Sequence, residues 1–313
     1  MYAGDGEDAP VLLDSGIEEP GENDVLWVDL DLEHVGEVGS LWEKLGLEGV
    51  VSPADHMEQR PKLVQHNGIL ELWVSALGDS PGLDPMMLRC VVGPNFVVTL
   101  HEGELDLVDE FNEPFHGDTR LGDLSGPAFL SLVLDWQISG YMGVIDELQG
   151  EIDQLDEKLL TTPPDEADLL RKLQELRTRV RGLRIALSPH REVLGLLSHP
   201  RSEAVVGAQA ADDYKRLEDR LQQAIDSVDT AREMIVGSFD IYMTRTAQAT
   251  NDIMKRLTLV SVLLLPAGVI AGVMGMNFKV PIFDWSWMFW VIIGGMVGLA
   301  ALTLFVAKRR DWL

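Results

Sequence analysis

The chain has 313 residues, 46% of them hydrophobic and 24% charged, and its 25 Lys and Arg against 51 Asp and Glu leave a net charge of −26 at pH 7. Such a surface repels phosphate backbones and excludes a nucleic-acid-binding role, while it concentrates cations nearby. The single cysteine, Cys90, excludes an internal disulfide and a thiolate metal cluster, and its apolar neighbours place it in a core.

Residues 1–24 carry eight acidic side chains and no Lys or Arg. That is the opposite of a basic signal or transit peptide, and the segment reads as a largely disordered acidic arm. Alternation over 25–30 predicts a strand, and 35–46 a short helix. Further strands are expected at 69–76, 86–92 and 96–101, the last two joined by a Gly93-Pro94-Asn95 turn. Residues 25–125 thus read as a small α/β domain.

From 127 to about 160 the apolar residues recur at helical spacing. Thr161-Thr162-Pro163-Pro164-Asp165 breaks the run, and a second helix is expected over 165–197, ended by Ser198-His199-Pro200. Residues 126–210 therefore read as a long helical hairpin. From 211 onward only Gly237 interrupts before Pro266, so one helix is expected to reach about 274. It forms a stalk over 211–256 and then enters an apolar segment. At about 1.5 Å per residue it measures on the order of 90–100 Å, far beyond an ordinary globular helix.

Residues 257–278 and 285–307 are 22 and 23 positions without charge. Each exceeds the roughly 20 residues that cross a hydrocarbon core. Lys255 and Arg256 precede the first; Lys308, Arg309 and Arg310 follow the second; the loop 279–284 holds only Lys279 and Asp284. The excess of base at both outer flanks places both termini, and the domain before them, in the cytoplasm. Trp285, Trp287 and Trp290 form an aromatic belt at the outer end, and Trp312 marks the inner side of the basic tail 308–313.

The first apolar segment has an uneven surface. Asn251, Met254, Thr258, Ser261, Leu265, Gly268, Gly272 and Gly275 recur at alternating three- and four-residue steps, while Leu259, Val260, Val262, Leu263, Leu264, Val269, Ile270 and Val273 occupy the other faces. A period of 3.5 fits a symmetric bundle that turns this stripe to its axis. It equally fits two helices packed closely through small residues.

The tripeptide Gly275-Met276-Asn277 closes this segment. A short loop and a second span follow, and the chain finishes on Lys308-Arg309-Arg310-Asp311-Trp312-Leu313. In that arrangement the chain resembles the CorA magnesium-transporter family, the two-helix GxN superfamily. The stretches 240–243, 251–258 and 96–102, and the helix from Pro127, are also similar. The resemblance covers nearly the whole chain, strongly over 236–313.

The resemblance implies a homopentameric funnel: an α+β cytoplasmic domain, a helical hairpin, a stalk helix and two membrane helices in the cell's inner membrane, with no enzymatic activity and no resident cofactor. Five copies of the first span then line one pore for a divalent cation, with Mg²⁺ as the expected cargo and Co²⁺, Ni²⁺ or Zn²⁺ as alternatives. A non-conducting membrane scaffold is the reading from another class. Gly275, Met276 and Asn277 become the selectivity filter, where neutral amide oxygens grip a still-hydrated ion. Met254, Leu257 and Leu265 become apolar constrictions that close by dewetting. Asn251 and Asp240 mark the inner exit, and Asn277 and Asp240 are the candidate metal contacts.

Two departures from the family pattern stand out. Arg216 lies 24 positions before Asp240, where magnesium-gated members carry a carboxylate that bridges subunits through an ion. A guanidinium cannot ligate a cation. The outer loop has one acid and one base where many relatives are acidic, and Met274 replaces an aromatic. Elsewhere His34, His56, His66, His101, His116, His190 and His199 show no helical ligand spacing, so no structural zinc site is expected. The acidic run Asp146, Glu147, Glu151, Asp153, Asp156 and Glu157 reads as a solvated helix face.

Overall fold

The computed structural model describes residues 2–3, 11–12, 25–31, 42–47, 60–77, 85–102, 105, 125–161, 166–276 and 287–309. The chain divides into two compact units, Met1–Glu157 with Ala167–Ser238, and Lys158–Glu166 with Phe239–Leu313.

The first unit is built on a mixed sheet. Its strands are β1 (Tyr2–Ala3), β2 (Val11–Leu12), β3 (Leu26–Asp31), β4 (Lys62–His66), β5 (Ile69–Leu77), β6 (Pro85–Val92) and β7 (Phe96–His101), in the order β2-β1-β3-β7-β6-β5-β4. β3 and β7 run parallel, with Leu26 opposite Phe96; the remaining neighbours are antiparallel. The three longer strands and β3 stand where alternation predicts them.

The structure adds three details to these expectations. The acidic arm is not wholly without structure: Tyr2 and Ala3 pair with Trp27 and Leu26, so backbone hydrogen bonding recruits four of its residues to the sheet. β4 was not foreseen. It is held by the Asn67-Gly68 turn, where both residues take positive φ, 45° and 91°, as a two-residue hairpin of matching twist requires. Of the helix expected over 35–46, residues 42–44 are helical, and 35–41 lie outside the described residues.

The helices are α1 (Gly126–Thr161), α2 (Glu166–Leu187), α3 (His190–Leu197), α4 (Glu203–Val206), α5 (Ala208–Met274) and α6 (Met288–Arg309). The single helix expected over 165–197 is two helices. Pro189 lacks an N–H and collides with the preceding turn, so α2 stops at Leu187 and α3 restarts at His190. The loop 162–165 lies outside the described residues.

One sheet face packs Leu26, Val28, Val91, Phe96, Val98 and Leu100 against Trp42 and Leu47. On the other, Trp27 meets Phe129 of α1 with ring centroids 5.2 Å apart. Gly126 opens α1 so close to the β6–β7 turn that a Cβ there would lie 2.2 Å from the Gly93 carbonyl oxygen. Its N–H donates to the Pro94 carbonyl at 2.8 Å, which ties sheet to helix. Cys90 is buried, as expected of a core residue.

Helix packing follows a coiled-coil rhythm. On α2, Leu173, Leu176, Val180, Leu183 and Leu187 are buried; on α5, Tyr214, Leu217, Leu221, Ala224, Val228, Ala231, Ile235 and Ser238 continue the same three-four spacing. Polar contacts between helices flank this seam. Tyr214 donates to the Pro127 carbonyl at 2.6 Å, Arg179 to Glu151 at 2.6 Å, and Arg220 pairs with Asp135. Asp146, Glu147, Asp153 and Glu157 are exposed, while Glu151 and Asp156 are half-buried and Glu151 pairs with Lys172 and Arg179 of α2, so the run is a solvated face only in part.

α5 is continuous for 67 residues, on the order of 100 Å. Pro266 stands inside it and removes one backbone donor. Among the described residues three helices have the length and apolarity to cross a membrane: α1, α5 and α6. Burial separates them. In α1, 56% of the most apolar stretch is covered by the protein, against 0% in α5 and α6. α1 spends its apolar face on the core of the first unit, whereas the apolar stretches of α5 and α6 have no such cover.

Candidate functional site

The second unit carries the stripe read from the sequence. At about 100° per residue, Asn251, Met254, Leu257, Thr258, Ser261, Leu265, Gly268 and Gly272 fall within an arc of about 120° on α5. All eight are exposed on the single chain, with Met254, Leu257 and Leu265 at 55%, 60% and 67%. Thr258 donates to the Met254 carbonyl at 2.8 Å and Ser261 to the Leu257 carbonyl at 2.9 Å. Each hydroxyl proton is thereby used inside the helix, and what remains is acceptor lone pairs. The stripe therefore offers oxygen acceptors between apolar side chains and no net charge.

α5 ends at Met274, where Gly275 N–H donates to the Ala271 carbonyl at 2.9 Å and Met276 N–H to the Val273 carbonyl at 3.2 Å. Gly275 and Met276 are exposed; Asn277, Phe278, the loop 279–284 and Trp285 lie outside the described residues. Asp240 shares the stripe's face, is exposed, and accepts at its backbone carbonyl from Thr244 at 2.8 Å. Arg216 pairs with Asp213 one turn earlier on its own helix, so its charge is engaged locally. Among the described residues no group of three or more His, Cys, Asp or Glu side chains is placed to hold a metal.

The first unit holds several buried polar networks that sequence reading did not find, and two of them lie towards the β4–β5 side of the sheet. In one, Arg89 on β6 donates to Glu71 on β5 through Nε at 2.9 Å and Nη2 at 2.5 Å, and His66 on β4 approaches the other Glu71 oxygen at 3.2 Å. The Trp73 ring has Arg89 Cζ 5.4 Å and Lys62 Nζ 5.5 Å from its centroid. The charged positions inside otherwise apolar strand runs were the available signal.

The other network closes a sheet edge. β4 pairs with β5 only as far as Trp73, which leaves Ser75 to find its own partners. Its N–H donates to His190 Nε2 at 2.9 Å, and its carbonyl accepts from Tyr141 at 3.0 Å and from Gln137. Nε2 accepts, so His190 is neutral with its proton on Nδ1. Burial pushes the imidazole down to about 4 and the Tyr141 hydroxyl up to about 12.

Because the His190 pKa is depressed in the folded state, the unfolded chain binds the extra proton between its ordinary value and about 4. Stability from this group is complete above about pH 6.5 and is lost as pH falls toward 4. The loss is on the order of 3 kcal/mol. Thermal unfolding of the full-length protein in detergent at pH 7 and pH 4.5 tests this. His190→Gln keeps an acceptor without titrating, and a smaller drop in its Tm than in wild type is the expected result. Equal drops would remove His190 from the account.

Fold and exposed helices define a class: a membrane protein in which a mixed-sheet domain is joined by one unbroken helix to a pair of apolar spans. Within that class the family is specific. Residues 22–309 match the CorA-like Mg2+ transporter proteins, and the chain belongs to that family. It is 27% identical over 262 residues to the putative metal ion transporter YfjQ of Bacillus subtilis, covering 82% of this chain and 79% of that one. It is 28% identical over 182 residues to the cobalt/magnesium transport protein CorA of Thermotoga maritima, covering 58% of this chain and 51% of that protein, about half its length. The complete structure of the CorA magnesium transporter from Methanocaldococcus jannaschii matches with a TM-score of 0.80 at 21% identity, over 100% of this chain and 98% of that one.

Proposed function

We propose that the chain is one subunit of a homopentameric channel that carries divalent cations, Mg²⁺ foremost, across the cell's inner membrane without turnover chemistry. The observation that carries this reading is the stripe on α5. A helix locked at one end into a folded domain presents, at the other, an uncharged line of acceptors and apolar side chains that one chain leaves uncovered. Five such lines enclose a path with apolar constrictions at Met254, Leu257 and Leu265. Gly275, Met276 and Asn277 form its selective mouth, Asn251 and Asp240 its inner exit.

The ion chemistry fits neutral oxygens. Mg²⁺ sheds water reluctantly, so acceptors that hold its hydration shell select it without trapping it. Membrane potential supplies the drive: a divalent ion gains about 4.6 kcal/mol per 100 mV.

Flux into proteoliposomes loaded with a magnesium- or zinc-sensitive dye tests the proposal, with and without a pH gradient. Voltage-driven Mg²⁺ entry by a pentamer is the expected result. Zn²⁺ entry that follows the proton gradient, with little Mg²⁺, would reassign the cargo to zinc. A monomer or dimer in mild detergent that passes no ion would leave a scaffold.

A further inference from the structure

The charge of this chain is divided sharply. Residues 255–313 hold six Lys and Arg against two Asp and Glu, a net of +4, while residues 1–254 carry 19 against 49, a net of −30. An acidic body of that size is repelled by an anionic leaflet, so the basic residues beside the spans are the part of the chain that such a surface attracts.

Their depth is set by helix geometry. From Arg256 to the end of α5 at Met274 the rise is roughly 27 Å, and from the start of α6 at Met288 to Lys308 it is roughly 30 Å. On the termini-inside reading the two spans run antiparallel, which brings both basic ends to one level. Leu259 and Ala307, at 9% and 5% exposure, are the buried residues of the described spans, and each lies within three positions of a basic pair. Beside them Arg256, Lys308 and Arg309 are exposed and have no ion pair among the described residues, whereas Lys255 is held by Asp252 at 3.0 Å. Three exposed cations, unpaired among the described residues, thus stand at the edge of two apolar helices, where an acyl chain and a phosphate head would be met together.

We propose that Arg256, Lys308 and Arg309 form a binding surface for the phosphate headgroups of acidic lipids in the cytoplasmic leaflet. The proposal rests on the two-span, termini-inside reading and not on conduction. A charge near such a leaflet strengthens association about 5-fold, so three together account for on the order of 100-fold.

The test is native mass spectrometry of the full-length protein in neutral detergent, titrated with phosphatidylglycerol or with phosphatidylcholine. Wild type is expected to retain phosphatidylglycerol preferentially. The R256Q/K308Q/R309Q variant is expected to lose that preference by on the order of 100-fold while its oligomeric state and its retention of phosphatidylcholine stay unchanged. Equal phosphatidylglycerol retention by wild type and variant overturns the proposal. So does equal retention of the two lipids by wild type, which would leave these residues with topology alone. Inorganic phosphate that displaces the lipid at millimolar concentration overturns the lipid as the ligand. Alkaline carbonate extraction of membranes tests the spans separately, since release of the chain would sink the two-span reading itself.

Discussion

Asn277→Ala is expected to cut Mg²⁺ uptake into proteoliposomes by at least about 10-fold while leaving assembly and thermal stability near wild type. The side chain's task in the proposed pore is to accept hydrogen bonds from water bound to the ion. A hydrogen bond to a charged partner contributes about 1.5–3 kcal/mol, and each 1.4 kcal/mol is tenfold. Alanine removes the acceptor from every copy at once. Asn277→Asp supplies the opposite perturbation: a ring of charge that holds the ion too firmly, so uptake falls while apparent affinity rises. Uptake by Asn277→Ala at the wild-type rate would remove the tripeptide from the filter, whatever the rest of the pore does.

Much of this architecture was legible because the relevant signals are local or periodic. β5, β6 and β7 announce themselves by apolar runs around a Gly93-Pro94-Asn95 turn, and α5 by the long absence of proline before Pro266. The stripe from Asn251 to Gly272 is a matter of counting. What escaped has physical reasons. β4 has only Leu63 and Val64 as apolar content, and its burial depends on β5 rather than on its own pattern. Asn67-Gly68 was the available sign, and it marks the hairpin more reliably than the strand itself. Pro189 was readable as a break, yet Leu-rich periodicity on both sides masks it.

The buried networks were illegible for a different cause. His190 and Ser75 are 115 positions apart and meet only because β5 outruns β4, a fact of register that no window of sequence contains. Arg216 shows the limit from the other side. Its identity excludes cation ligation, but only the structure pairs it with Asp213.

Arg89→Met is the substitution with the largest expected effect on folding. Arg89 is 1% exposed in the middle of β6, and its charge is balanced by Glu71 across the strand and by the Trp73 ring. Removing it leaves a buried carboxylate whose remaining ion-pair partner among the described residues is the part-exposed His66. Breaking a buried pair from one side costs about 3–5 kcal/mol, against a typical total of about 5–15 kcal/mol for a domain. The variant is therefore expected to unfold at markedly lower urea than wild type, with its Tm reduced accordingly.

The cost comes from the orphaned charge, not from a large net attraction in the pair. Replacing both partners, as in Glu71→Leu with Arg89→Met, should then recover most of the loss, because two apolar side chains of similar size need no desolvated charge to be compensated. Urea unfolding of both single variants and the double variant measures the coupling. If the double variant is as unstable as the sum of the singles, the two residues act independently and the pair does not organise this end of the sheet. Recovery in the double variant together with wild-type cation flux would show that the charge pair serves the fold of the first unit alone.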